Sequence, residues 1–251
     1  MYSSRPLPSA ISHRGLRATA PENTIAAFEA AINAGAEGIE LDVHSSLDGV
    51  VFVHHDPIID TPSGRVAFKA ADSKTIQAAR IDGGHSIPTL DATLEAVASR
   101  AKVFIEIKPP GIENDVARCL KRHSDLHENY SVHSFDHRIV KRMIEILPSV
   151  RTGILQVAYP IDSRTAMRDA GATDLWQHAD FVDSRLLSDV HASGGRLIVW
   201  TPNTPTAWER LASLGVDGVC TDTVDAYLDW RRDMEEERAE HAHPADPSSV
   251  S

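Results

Sequence analysis

A chain of 251 residues that is 42% hydrophobic and 24% charged can bury a substantial core, which excludes disorder for most of its length and suits one barrel-sized domain better than two average ones. A formal charge of −11, with no stripe of Lys or Arg, excludes a nucleic-acid backbone as partner and obliges any site for a small phosphorylated molecule to supply local cations. Cys119 and Cys220 are too few for a disulfide framework, no apolar run reaches the ~18 residues that span a bilayer, and the N-terminal stretch lacks the apolar centre of a secretion signal. The expected setting is therefore cytoplasmic, with no transmembrane segment; composition leaves oligomeric partners open.

Residues 10–12 form a short apolar strand ended by His13 and Arg14. Residues 22–34 follow Pro21 and place Ile25, Phe28 and Ile32 at helical spacing, with Glu22 and Asn23 at the head and Gly35 as C-terminal cap. Residues 37–44 alternate apolar and acidic side chains, so Glu40 and Asp42 share one strand face while Leu41 and Val43 point into packing. A turn at Leu47, Asp48 and Gly49 leads to a strand over 50–54, paired antiparallel or as a bent extension, which His55 and Asp56 close. Residues 57–89, rich in Gly, Pro, Asp and Ser, read as a long loop or small insertion with a helical trace at 75–79, placed to roof whatever His55 serves. After it, strands at 103–108, 131–134, 151–156, near Phe181 and Val182, 197–200 and 218–221 alternate with helices at 90–99, 113–123, 139–147, 164–170, 188–193, 205–214 and from Val224 onward.

About eight strands alternating with helices predict an α/β fold, a (β/α)8 TIM barrel, in which residues 1–230 are one domain carrying the insertion. An open doubly wound sheet would want a glycine-rich phosphate loop after its first strand, and none is there. Residues 231–251 turn charged and then Pro/Ser-rich, which predicts a solvated tail holding His241 and His243.

The polar residues concentrate where a barrel builds its site, at the C-terminal strand ends. His13 and Arg14, Glu40 and Asp42, Glu106 and Lys108, Ser134 and Trp200 all fall there. Glu106 and Lys108 share a face, so Glu106 can join Glu40 and Asp42; three acids with no cysteine cluster make a hard oxygen site suited to one divalent cation, Mg2+ or Ca2+, with Mn2+ a third choice. His54 adjoins His55, yet strand alternation turns it to the opposite side, as a packing or surface residue. Asp56 is placed either to orient His55 or to cap the next turn.

These residues also carry a resemblance. His13-Arg14-Gly15, Pro21-Glu22-Asn23-Thr24, Ala27-Phe28, Gly35-Ala36, Glu40, Asp42-Val43 and His55-Asp56 resemble the glycerophosphodiester phosphodiesterase family, and the likeness continues at Pro88-Thr89-Leu90, residues 105–108, Ser134-Phe135, residues 200–203 and 215–222. The resemblance implies metal ligands at Glu40, Asp42 and Glu106, catalytic histidines at His13 and His55, and Arg14 and Lys108 beside the phosphate. Trp200 joins these as a substrate contact, and Glu22, Asn23 and Asp56 as supporting residues. The implied reaction is metal-dependent cleavage of a small phosphodiester to glycerol 3-phosphate and an alcohol, one imidazole accepting a proton and the other donating. A lysophospholipase D or a lyase-type relative that forms a cyclic phosphate are alternatives, and so is a non-catalytic barrel that binds a phosphorylated metabolite. Two departures stand out: Asp60-Thr61-Pro62-Ser63-Gly64 lacks the arginine the family carries before its threonine, and Pro202 replaces a common aliphatic residue.

Overall fold

Alternation of side chains across each strand sorts this chain into two apolar layers. In the computed structural model, which describes residues 5–61 and 64–242, one layer lies between strands and helices and the other fills the barrel interior. The barrel strands are β1 (Ser9–His13), β2 (Gly38–Ser45), β3 (Lys102–Ile107), β4 (Tyr130–Ser134), β5 (Arg151–Gln156), β6 (Asp174–His178), β7 (Arg196–Trp200) and β8 (Gly218–Thr221). Each pairs in parallel with its neighbours, and β1 pairs with both β2 and β8, which closes the ring.

Ile39, Leu41 and Val43 of β2 face the helices, whereas Ile11, Phe104, Leu155, Trp176, Ile198 and Cys220 plug the interior. Two glycines make room for that plug. A Cβ on Gly38 would come within 2.7 Å of the Phe104 ring, and one on Gly153 within 2.8 Å of the Trp176 indole, so any larger residue would displace an aromatic floor. Above this floor the inward positions of β1 to β4 become His13, Glu40, Asp42, Glu106 and His133.

Helices at Ile25–Ala34, Leu90–Val97, Glu113–Arg122, His137–Ile146, Ser163–Ala170, Ser184–Ala192, Pro205–Leu214 and Val224–Ala242 cover the barrel. Several of them start on a side-chain cap: Thr24, Thr89, Asp136, Asp162, Asp183 and Thr204 each accept an N–H from the first turn.

Four expectations need correction. The sixth strand is Asp174–His178, and the stretch Ala179–Phe181 is a short 3-10 turn; a strand with a buried acid at its start and Gln177 and His178 near its end hid its pattern. The third predicted strand is only Val51–Val53, antiparallel to β2, so His54 and His55 lie beyond it. The insertion is built rather than looped: hairpins Ile58–Thr61 with Gly64–Ala67 and Arg80–Ile81 with His85–Ser86 flank a helix at Ser73–Ala78, over a small core of Phe52, Ile59, Phe68, Ile76, Ala79 and Ile87. The last helix runs to Ala242, so the predicted boundary at residue 231 falls inside it, with Arg231 paired to Glu37. His243, residues 244–251, Pro62 and Ser63 lie outside the described residues.

Candidate active site

β1 ends in a turn where Arg14 takes φ 60° and Asn23, opposite it, φ 58°. Left-handed backbone at a bulky residue is unfavourable. It is held here by the Arg14 N–H donating to the Glu40 carbonyl and the Asn23 N–H donating to the Arg14 carbonyl, both at 2.9 Å. The turn presents His13. Its Nδ1 lies 2.7 Å from Asp222 Oδ1, and Asp222 also accepts from Arg17 Nη1 at 3.0 Å and Asn203 Nδ2 at 2.8 Å. The hydrogen bond with His13, above all, holds the Asp222 carboxyl far below the usual carboxylate range. Such a group only accepts, so Nδ1 carries the proton and Nε2 faces Glu40, 3.9 Å from its Oε2. Burial pushes the His13 imidazole down, but the Asp222 hydrogen bond and the Glu40 charge outweigh it and leave the imidazole above its ordinary value.

Beside His13 lie the acids. Asp42 is fully buried; its Oδ2 accepts from Asn23 Nδ2 at 2.9 Å and sits 3.1 Å from Arg14 Nε, while its Oδ1 is 3.2 Å from Lys108 Nζ. Neither cation is aligned for a hydrogen bond, so these two are charge contacts. Burial pushes the Asp42 carboxyl up, yet Arg14 and Lys108 together hold it below its ordinary value. Glu106 differs: burial keeps its carboxyl raised even with Lys108 Nζ 2.9 Å from Oε1, because Asp42 and Glu40 add like charge. Burial also lowers Lys108, but Asp42 and Glu106 reverse that and hold its ammonium charged. Glu40 Oε2 and Asp42 Oδ1 are buried without a hydrogen-bond partner. Two orphaned carboxylate oxygens among three crowded acids fit a hard cation.

His55 stands across the same cavity, with Asp56 Oδ1 2.8 Å from its Nδ1. Of the two roles open to Asp56, the geometry favours orienting His55. The His44 Nε2–H donates to the His55 carbonyl at 3.0 Å, and His44 stacks on Phe68 with ring centres 5.2 Å apart, so the insertion's core holds the backbone of His55. His54 stays out of the cavity but, contrary to its expected turn to the opposite side, lines the groove beside His55; it packs against Phe68, and its Nδ1 accepts from the Asp56 N–H. A second, open groove runs from His55 past Asp56, Ile58 and Asp60 to Glu22 and Arg17.

The cavity gathers most of the residues singled out by sequence. His13, Arg14, Glu40, His55, Glu106, Lys108 and Trp200 line it; Asp42 lies beneath them, and Glu22, Asn23 and Asp56 line the adjoining groove. Glu22 pairs with Arg14 at 2.9 Å and with Arg17 at 3.3 Å. Ser134 is not in the cavity; its Oγ–H donates to the Ile107 carbonyl. Sequence reasoning missed His133, Asp222 and Arg17. His133 stacks on Trp176 at 4.3 Å, and its Nε2 is 3.6 Å from Glu40 Oε1. Its signal was alternation: a strand that turns Ser134 outward turns His133 inward, level with Glu106. Donor atoms of Glu40, Glu106 and His133 lie within 4.8 Å of one another. Opposite the charged side, Phe135 meets Trp200 edge-on at 5.5 Å and Leu155 and Trp176 complete an apolar wall.

Residues 13–226 match the Glycerophosphoryl diester phosphodiesterase family. The chain is 31% identical over 233 residues to YhdW of Bacillus subtilis, covering 86% of this chain and 94% of that one. It is 29% identical over 237 residues to the glycerophosphodiester phosphodiesterase of Caldanaerobacter subterraneus, covering 88% and 97%. Among solved structures, a glycerophosphodiester phosphodiesterase from Agrobacterium tumefaciens superposes with a TM-score of 0.78 at 27% identity, covering 89% of this chain and all of that one. A phosphodiesterase from Oleispira antarctica in complex with the product sn-glycerol-3-phosphate gives a TM-score of 0.78 at 24% identity, over 89% and 96%.

Proposed function

The chain belongs to the glycerophosphoryl diester phosphodiesterase family, and from that membership we propose that this barrel hydrolyses small glycerophosphodiesters to glycerol 3-phosphate and an alcohol, with His13 and His55 as its proton-transfer pair. One observation carries the reading. Two imidazoles, each with Nδ1 tied to a carboxylate, face one cavity whose floor is acidic and whose flank holds Arg14 and Lys108.

Glu40, Asp42 and Glu106 would hold the divalent cation, Mg2+, Ca2+ or Mn2+, which when bound polarises the phosphoryl oxygens and neutralises developing charge. Arg14 and Lys108 attract and orient the phosphate against the acids' net negative charge. His13, whose proton Asp222 and Glu40 help retain, donates to the departing alkoxide at Nε2. His55, fixed by Asp56, accepts the proton of the attacking water. The wall of Phe135, Trp200 and Leu155 takes the carbon skeleton and excludes bulk water. His133 contributes a nitrogen next to Glu40, but its stacking on Trp176 and the hard-oxygen character of the acids keep Asp42 the third ligand.

The test is product analysis on glycerophosphodiesters, with and without chelator. Chelation should abolish turnover, added Mg2+, Ca2+ or Mn2+ should restore it, and glycerol 3-phosphate should accumulate. Asp42→Asn should lose the restoration and His133→Ala should keep most of it. Full activity in metal-stripped protein would end the ligand assignment, and a cyclic phosphate product would end the hydrolytic one.

A further inference from the structure

Outside the cavity, a second set of donor side chains meets between two helices. Asp91, in the first turn of Leu90–Val97, points its Oδ1 at three groups: Cys119 Sγ at 3.2 Å, His123 Nε2 at 3.1 Å and Arg122 Nε at 3.1 Å. Arg122 Nη2 takes the other oxygen, Oδ2. Cys119 and His123 stand four residues apart at the end of Glu113–Arg122, the spacing that puts two side chains on one helical face. Cys119 is buried, and Asp91 and His123 are partly buried.

We propose that Asp91, Cys119 and His123 form a binding site for a borderline transition-metal ion such as Zn2+, which staples the two helices together. The donor set is mixed carboxylate, thiol and imidazole, which selects zinc-like ions over the hard cations suited to the cavity. The distances agree with that use. A tetrahedral ion with bonds of about 2.0–2.3 Å sets its ligand atoms roughly 3.3–3.6 Å apart. The three donor atoms lie within 4.8 Å of one another, and the two contacts to Asp91 Oδ1 are already within a few tenths of an ångström of those edges. In the ion-free cluster the Cys119 thiol donates its proton to Asp91 Oδ1, and that proton must leave for the ion to bind. Binding forms an M–S bond and sends one proton to solvent, while a neutral His123 moves its remaining proton to Nδ1. Arg122 stays on Asp91 Oδ2 as an outer partner that fixes the carboxylate. Burial and the neighbouring Asp91 charge push the Cys119 thiol up, so the ion must displace the proton by coordination; without it the thiol is unreactive.

Co2+ titration of the full-length protein tests this, because a cobalt–thiolate bond has its own near-ultraviolet charge-transfer absorption. Glu40→Gln and wild type should develop the band to the same saturating intensity, wild type after taking up the further equivalent that its cavity would hold, and Zn2+ should bleach it while raising the melting temperature. Cys119→Ser should lose the band, and His123→Ala should move the midpoint to at least about tenfold higher Co2+. Circular dichroism checks that each variant folds; if Cys119→Ser does not, the His123→Ala midpoint decides. No band in wild type, a band that survives Cys119→Ser, or an unmoved midpoint in His123→Ala would each overturn the site and leave a metal-free polar latch.

Discussion

Asp222 shows how much a single residue can decide about a site. It is the group that sets the tautomer of His13 and, against burial, raises its imidazole above the ordinary value. If His13 is the proton donor and a base opposite it the acceptor, activity is lost in alkali as His13 deprotonates, and the pH profile of kcat/KM is bell-shaped with its alkaline limb set by His13. Asp222→Asn removes the anion that raises the His13 imidazole. Its folded value then falls, and the alkaline limb should move to lower pH while the acid limb stays. A displaced acid limb would reverse the two roles. His13→Ala and His55→Ala should each cost about 10²-fold or more, and the double variant less than their product. His54→Ala is the control and should stay close to wild type. Much of this was legible in sequence, since His13 ends β1 and Glu40 and Glu106 take inward positions on their strands, whereas His55 lies just past Val51–Val53. Asp222 was not singled out because its partner is 209 positions away, a pairing that only closure of β1 onto β8 creates.

Among the elements, the insertion departs furthest from expectation, and it does so because its order comes from packing rather than from local pattern. Phe68 is buried, stacks on His44 and meets His54 at a tilt, and His44 in turn holds the His55 carbonyl. In sequence the segment showed Gly, Pro and Ser and so read as loop; six scattered apolar residues assemble the small core only once the two hairpins form. Removing the interior of the insertion would therefore disturb catalysis as well as access. Phe68→Ala should lower kcat at least about tenfold as His55 loses its backing, and should cost about 3–5 kcal/mol of packing. Asp60 lies at the exposed edge of the groove beside His55 and, among the described residues, pairs with an exposed Arg65. Such a pair contributes little to stability. Asp60→Ala should accordingly change KM or substrate preference while leaving the melting temperature in place. An unaltered kcat in Phe68→Ala would sever the insertion from the catalytic histidine.

Across the whole molecule, the barrel separates chemistry from stability along its axis. The alternation of strands and helices made the architecture readable, yet the sixth strand was misplaced because its first residue is a buried acid and apolar Phe181 and Val182 looked the better strand. That acid explains itself at the opposite end from the cavity. Asp174 begins β6 with no exposed surface, taking Arg151 Nη2 and Arg196 Nη2 each at 2.7 Å, so β5, β6 and β7 are pinned at their starts by one carboxylate between two guanidiniums. Burial lowers Arg196, and the Asp174 hydrogen bonds more than restore it, which keeps the cation on its partner. Taking the carboxylate away leaves an exposed Arg151 and a partly buried Arg196 facing each other without their acceptor, and losing hydrogen bonds to a charged group costs about 1.5–3 kcal/mol. In a chain of this size each kcal/mol moves the melting temperature by about 2–4 °C. Asp174→Ala should thus melt roughly 3–12 °C below wild type, while the folded enzyme, assayed well below that temperature, keeps kcat/KM near the wild-type value because the cavity residues lie towards the other end of the barrel. A loss of kcat/KM as large as that of His55→Ala, with the melting temperature unmoved, would show that the two ends of the barrel are not independent.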